Sequence, residues 1–312
     1  MLYPIELLAR ESVVYEVFLS EFDPRSRKIM EPRFEQFIRE RQYLTNVTPA
    51  TIEWYRRCLK WLPSECPGQA DLVAVVVRMR EKGLTAAGAN SVVRCINAYL
   101  HWTTGSERKC GAGCIHPRVQ RLREPHLVMP TFSDVQVKRL LAWKAKGKYQ
   151  RRLQLLVLLL LDTGCRISEA LSLRVCDVDM DNLLLTLDGK GRKQRVVPFS
   201  FELRKVLFRY IGEFARKPEC LLFACRSETT WSRRNALRDV KALCKDLGFV
   251  PPRRTLHAFR HSFAVNYLRR GGSVFHLQKV LGHSSLEMTR RYANLVTADL
   301  QAMHERVSLL SK

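Results

Sequence analysis

Between Thr103 and Pro130 the sequence loses all apolar periodicity, and Gly105, Gly111, Gly113, Pro117, Pro125 and Pro130 fall among polar residues. Glycine frees the backbone and proline removes a donor, so a helix or strand cannot carry one core through such a stretch. The chain is therefore expected to fold as two units, for which 312 residues are ample. The division reads as an extension of unassigned role at 1–30, a small helical domain at 31–104, a linker and loop at 105–130, and a second domain at 131–312.

The first domain reads as four short helices. Phe34, Phe37 and Ile38 mark one helical face. Thr48 followed by Pro49 is a capping hydroxyl with proline in the first turn, and Ile52, Tyr55, Leu59 and Leu62 then recur at helical spacing. Asp71 opens a third helix that stops near Gly83, and Thr85 to Trp102 forms the fourth. In the second domain Ser133 and Gln136 make a capping box, with helices to about Lys146 and over Gln150 to Asp162. Leu183 to Leu187 alternates, turns at Asp188 and Gly189, and pairs with Arg195 to Phe199 as a β-hairpin. Helices are expected again at Phe201 to Phe214, Trp231 to Leu247, Leu256 to Leu268, Val274 to Leu281 and Leu286 to Ala293. The fold class is mainly α with a small antiparallel β-sheet.

Lysine and arginine number 53 against 30 acidic residues, a formal charge of +23. So large an excess repels itself unless an anion neutralises it, and a polyanion such as nucleic acid is the best fit. No basic amphipathic segment stands apart from the core helices, so no membrane partner is expected. The longest apolar run, Leu153 to Leu161, is interrupted by Gln154 and is far too short to span a bilayer. Pro4, Glu6 and Arg10 interrupt the start of the chain, which shows no secretory signal. Ten cysteines are scattered through apolar patterns, as at Cys58, Cys95 and Cys244, which suits reduced thiols in a cytoplasm. Cys110, Cys114 and His116 lie close together, but the spacing matches no common zinc site and reads as an ordinary loop.

Five clusters in the second domain hold residues suited to phosphate chemistry. Thr163 to Leu171 reads T-G-C-R-I-S-E-A-L, where Gly164 ends one helix, Arg166 opens the next, and Arg166 and Glu169 share a face three residues apart. Asp188 to Arg195 reads D-G-K-G-R-K-Q-R, with Lys190 between two glycines at the hairpin tip. His257 to Arg260 reads H-A-F-R, again three apart, while Leu256, Phe259 and Phe263 mark the buried face and His261 reads as structural. Leu281 to Ser285 reads L-G-H-S-S: Gly282 ends a helix, Ser284 with Glu287 caps the next, and His283 is held at the corner. Tyr292 follows nine residues after His283. Each alone has a plain explanation: a surface ion pair, a solvated basic turn, structural side chains, one more tyrosine.

In this order the clusters resemble the tyrosine recombinase (phage integrase) family. The flanking residues match as well, in G-K-G-R-K-Q-R-V-V-P, L-H-A-F-R-H-S-F-A and L-G-H-S-S-L-E-M-T-R-R-Y. The resemblance covers the second domain strongly and the first more weakly, which looks like the family's core-binding (SAM-like) domain. It implies a two-domain DNA clamp, a helical core-binding domain plus a catalytic domain. It implies Tyr292 as nucleophile, Arg166 and Arg260 as phosphate clamps, and Lys190 as general acid. His257 would be an acid–base and phosphate-contacting residue, His283 a hydrogen-bonding partner of the phosphate, and Glu169 a buttress for the first arginine and the hairpin. It further implies a 3′-phosphotyrosine with a free 5′-hydroxyl. Four protomers would work in two pairs through a Holliday junction, on double-stranded DNA with inverted half-sites. Residues 1–30 and the Cys110–His116 loop have no place in the family pattern.

Elementary chemistry points the same way. A phenol has a pKa of about 10, so ionising it at pH 7 costs about 4 kcal/mol, which nearby cations must offset. Two guanidinium forks suit the non-bridging oxygens of a phosphodiester under attack, and a lysine on a hairpin can protonate the departing sugar oxygen. Imidazoles can shuttle protons near neutral pH. No clustered carboxylates mark a magnesium site and no G-x-x-x-x-G-K-[ST] run marks ATP, so no cofactor or metal is expected. Two other readings stay open: a type IB topoisomerase-like enzyme, and a DNA-binding regulator whose six intact positions are vestigial. A nucleoid-associated protein of prokaryotic or mobile-element origin is expected, while the choice among integration, transposition and resolution, and the need for an accessory protein, stay open. Leu300, Met303, Val307 and Leu310 recur at helical spacing in the tail, which docks on its own domain or on a neighbouring protomer. Because lysine and arginine would meet phosphates, DNA affinity should fall steeply as salt rises, measured as the slope of log affinity against log salt; a flat response would remove the electrostatic footprint.

Overall fold

The computed structural model describes residues 31–104, 118–125, 129–189, 194–214, 217–224, 230–283 and 285–296. The 1–30 extension, the Cys110–His116 loop, Lys190, Ser284 and the tail from 297 onward lie outside the described residues. Two compact units divide the chain, Met1–Leu127 and Val128–Lys312.

The first unit contains α1 (Pro32–Leu44), α2 (Pro49–Leu59), α3 (Gln69–Glu81) and α4 (Ala86–Thr103). The hydroxyls of Thr48 and Thr85 accept from the backbone of Thr51 and Gly88, capping α2 and α4. Their apolar faces meet in one core that includes Phe37, Leu59, Leu72, Met79, Ile96 and Tyr99. Phe37 sits edge-on to Tyr55 and Tyr99, with ring centroids 5.1 and 5.5 Å away. Residues 118–125, which the sequence pattern places in the linker, are fastened to α4. Asn97 exchanges two hydrogen bonds with the backbone of Val119 (2.9 and 3.0 Å), and Asn90 does the same with Leu122 (2.9 and 2.8 Å). A side-chain amide offers the same donor and acceptor as a peptide group, so these two asparagines replace a strand neighbour.

The second unit begins with α5 (Asp134–Ala142), α6 (Lys148–Thr163) and the short α7 (Ile167–Ser172). A three-stranded antiparallel sheet follows, β1 (Val178–Asp179), β2 (Leu184–Asp188) and β3 (Gln194–Pro198), in the order β1-β2-β3. Then come α8 (Phe201–Phe214), α9 (Arg233–Asp246), α10 (Thr255–Arg269), α11 (Val274–Leu281) and α12 (Leu286–Val296). The architecture is thus mainly helical with a small sheet. α6 runs through the core, burying Leu153, Leu155, Leu156, Leu159 and Leu160 against α8 and α10 among others. In the hairpin Leu185 pairs with Val197 and Leu187 with Arg195, so Leu185, Leu187 and Val197 face the core. α5 stops at Ala142 rather than Lys146. Trp143 turns extended there, and its carbonyl accepts from Gln154 of α6 at 2.6 Å. β1, only two residues long, shows no alternation to read. Cys58, Cys95, Cys165 and Cys244 are buried free thiols. Among the described residues no helix is long and apolar enough to cross a membrane.

Two glycines terminate the helices that bear on the site chemistry. Gly164 ends α6 and Gly282 ends α11, both left-handed, at φ +60° and +63°. A Cβ at Gly164 would collide with the Phe263 ring. Gly164→Ala should therefore lose about 1–3 kcal/mol of stability from strain and overlap, read as a lower midpoint in urea unfolding; an unchanged midpoint would contradict the packing described.

Candidate active site

The cluster is built from helix ends. Arg166 is the residue immediately before α7, and the Glu169 carboxylate turns back to accept from the Arg166 backbone N–H at 2.7 Å. The same carboxylate accepts from the Arg166 guanidinium at 2.8 Å. From β3, Arg195 meets it bidentately, at 2.8 and 2.7 Å. Glu169 is only 4% exposed. Burial alone would raise its pKa, but the bonds from Arg195 and then Arg166 reverse the effect and hold it at about 2. One carboxylate thus organises two arginines, of which Arg195 lies 26 residues further along the chain.

Arg260, on α10, is 6% exposed. Its fork donates to the carbonyl of Gly164 at 3.0 Å and of Leu281 at 2.6 Å. Arg195 Nε donates to the carbonyl of Val280 at 3.0 Å. These carbonyls belong to the C-terminal ends of α6 and α11, where the helix dipole favours cations. Burial, then repulsion from Arg166, pulls the Arg260 pKa down to about 10, while Tyr292 lies close enough to support its charge. The guanidinium stays charged at neutral pH. Of its five N–H donors, two serve these carbonyls, and the others have no partner among the described residues.

Gly282 turns the chain from α11 into the corner that carries His283. A Cβ there would stand 2.8 Å from Arg195 Cδ, so the same glycine that ends the helix admits the arginine. His283 Nδ1 lies 2.9 Å from the hydroxyl of Thr289, one turn before Tyr292 on α12. Thr289 is fully buried, and its hydroxyl occupies Nδ1, so Nε2 is the ring nitrogen of His283 left for another partner. The rings of His283 and Tyr292 are parallel within 5° at 6.1 Å. Burial, followed by Arg260, Arg166 and Arg195, lowers the His283 pKa to about 4. His257 is exposed at the start of α10, with Nε2 3.4 Å from the Arg233 guanidinium. Its pKa is lowered by burial, then by Arg233, Arg254, Arg260 and Arg166.

Tyr292 is 3% exposed and packs against Ala264, Leu268, Leu277 and Leu281 in a small cluster beside the main core. Its hydroxyl lies 2.8 Å from Nδ1 of His261. His261, which reads as structural in the sequence, is thus placed against a residue of the candidate site. The signal was available: His261 follows His257 by four residues, which is one helical face. Arg195 also had a signal. It stands opposite the buried Leu187 in the hairpin, and a cation on a buried face needs a carboxylate.

The structure brings Arg166, Glu169, His257, Arg260, His283 and Tyr292 into one cation-rich neighbourhood. Three guanidinium groups share this neighbourhood with a single carboxylate, and burial, reinforced by these cations, favours the neutral imidazoles. Such a site is short of an anion.

Comparison with known proteins agrees. Residues 131–298 match the phage integrase family. The tyrosine recombinase XerC of Mesorhizobium japonicum is 30% identical over 317 residues, covering 92% of this chain and 97% of its own. XerA of Pyrococcus furiosus is 29% identical over 250 residues, covering 78% and 82%. In fold, the Tn1549 transposon integrase solved with transposon right end DNA covers 88% of this chain and 99% of its own, with a TM-score of 0.69 at 22% identity. The XerH site-specific recombinase solved in a post-cleavage complex with its palindromic difH substrate covers 89% and 84%, with a TM-score of 0.68 at 18% identity. The chain belongs to the phage integrase family, the tyrosine recombinases, enzymes that break and rejoin DNA.

The Glu169 pairing makes a pH prediction. Its folded pKa, about 2, lies below the ordinary 4.5. The stabilisation is therefore complete above about pH 4.5 and is lost as pH falls toward 2. Glu169→Gln should be less stable than wild type at pH 7, with a weaker pH dependence in that acid window, in urea titrations at several pH values. An acid limb identical to wild type would take this role away from Glu169.

Proposed function

We propose that this protein is a site-specific recombinase that cuts duplex DNA through Tyr292 and holds one end as a 3′-phosphotyrosine. The observation that carries the reading is Tyr292 held against His261, His283 and Arg260, in a site whose other two arginines are organised by Glu169. Arg166 and Arg260 grip the non-bridging oxygens of the scissile phosphate. The donors of the Arg260 fork not used by helix carbonyls suit this task. His283 adds a hydrogen bond from Nε2, and His257 contacts the phosphate and exchanges protons. Stabilising the charge that gathers in the transition state is the largest contribution expected of such a site.

In the cleavage step the Tyr292 oxygen bonds to phosphorus and the bond to the 5′-oxygen breaks. Lys190 gives the leaving oxygen its proton. One phosphate ester replaces another, so the energy of the broken bond is retained and no metal or ATP is needed. A 5′-hydroxyl from a second duplex reverses the step and reseals the strand. Four protomers on inverted half-sites would exchange strands in two pairs through a Holliday junction. The transposon integrase among the fold neighbours supports a role in a mobile element.

A nicked suicide substrate tests the chemistry. Wild type should accumulate a covalent protein–DNA adduct and Tyr292→Phe should form none. Lys190→Ala should cleave the normal phosphate at least about 100-fold more slowly, and should recover when sulfur replaces the 5′-oxygen, because a thiolate leaves without a proton. An adduct from Tyr292→Phe would refute the assignment of the nucleophile. Failure of the sulfur substrate to rescue would refute the assignment of the acid.

A further inference from the structure

We propose that His261 is a further catalytic residue, which holds the Tyr292 hydroxyl before attack and receives its proton as the phosphotyrosine forms; the proposal rests on Tyr292 being the nucleophile. Three imidazoles stand in the described site, and their ring nitrogens are differently engaged. His283 Nδ1 is taken by Thr289 at 2.9 Å. His257 Nε2 is 3.4 Å from Arg233. His261 Nδ1 meets the tyrosine hydroxyl itself, at 2.8 Å, with the two rings tilted by 44° and centroids 5.7 Å apart. α10 and α12 pack directly together, so this contact is built into the helix pairing rather than borrowed from a loop.

The direction of the hydrogen bond follows from the charge state of the imidazole. A phenol O–H donates readily to a lone pair, and the neutral His261 ring offers one at 2.8 Å. His261 is kept neutral by burial, then by His257, Arg260 and Arg254, which bring its pKa to about 4. In the proposed arrangement Tyr292 donates to Nδ1, and the remaining His261 proton sits on Nε2.

The same burial bears on the timing. A neutral imidazole held below its ordinary pKa is a far weaker base than a phenolate and does not ionise the tyrosine in advance. Once the tyrosine oxygen begins to bond to phosphorus it loses its hold on the proton. Proton transfer to Nδ1 then accompanies attack rather than preceding it. In that step the Oη–P bond forms, the P–O5′ bond breaks, Nδ1 gains the phenol proton, and the 5′-oxygen gains one from the general acid. On rejoining, the attacking 5′-hydroxyl gives up its proton and Nδ1–H returns one to the tyrosine.

Single-turnover cleavage of the nicked substrate at saturating DNA tests this with two substitutions. His261→Asn places Oδ1 near the position of Nδ1, so it can hold the hydroxyl but cannot take the proton. His261→Phe can do neither. Both variants should bind DNA as wild type does and form adduct at least about 100-fold more slowly. A fluorinated tyrosine of lower pKa at position 292 should restore the His261→Asn rate by about tenfold or more, since a more acidic phenol needs less help. Wild-type cleavage by His261→Asn, or no rescue by the fluorinated residue, would overturn the proton-accepting role. Should the variants not fold, nitrogen NMR of the wild-type imidazoles decides: Nδ1 of His261 should be unprotonated in the free protein and protonated in the adduct. An Nδ1–H in the free protein would refute the proposal. A wild-type chain that forms no adduct on its own site fails at the earlier step, the phosphotyrosine itself, and is told apart from a failure of His261 alone.

Discussion

A single buried carboxylate sets how much positive charge the second unit can gather in one place. Glu169 accepts from the Arg166 backbone, the Arg166 side chain and both nitrogens of the Arg195 fork, all within 2.8 Å. Isolated buried charges cost several kcal/mol each, so neither the carboxylate nor the nearly buried Arg195 could stand there without the other. The balance is nevertheless unequal. Arg260 adds a third guanidinium whose partners are backbone carbonyls rather than a second carboxylate. The surplus is felt at His261 and His283, where cationic neighbours reinforce burial and both imidazoles fall to about pKa 4. A phosphate placed in this surplus would relieve it and raise those values, which couples anion binding to the protonation of the groups proposed to act on it.

The carbonyls that hold Arg260 come from helix ends, and this gives the site its rigidity. α6 and α11 both stop at left-handed glycines, which exposes carbonyls that no further turn can satisfy. Guanidinium groups satisfy them, and the negative ends of the helix dipoles favour the match. The last turn of α11 serves two arginines, since Val280 accepts from Arg195 and Leu281 from Arg260. The following residues, Gly282 and His283, start the path into α12, which carries Thr289 and Tyr292. Cation placement and tyrosine placement are thus consequences of one corner. Rotating that corner would disturb an arginine, an imidazole and a phenol together.

Much of this was written locally. Capping hydroxyls at Thr48, Thr85 and Ser133, the glycine stops at Gly164 and Gly282, and the alternation around Asp188 and Gly189 each specify a backbone event within a few residues. The helices Phe201–Phe214 and Val274–Leu281 can be read to the residue for the same reason. Other features depend on partners far along the chain. The end of α5 is set by Gln154 reaching the Trp143 carbonyl, and residues 118–125 are ordered by Asn90 and Asn97, more than 20 positions away. Nothing in the periodicity of either segment contains that information.

The candidate site divides along the same line. From its sequence alone the chain determined which residue types stood in which order: arginine, a basic hairpin, a His–Arg pair, histidine and tyrosine, on helices whose ends were legible. Only the tertiary structure decided which of them meet. It turned the Arg166–Glu169 pair from a surface ion pair into a buried hub by adding Arg195, and it set His261 against the tyrosine. The physical reason is that spacing along a helix reports which residues share a face, whereas desolvation and hydrogen bonding depend on what that face is pressed against.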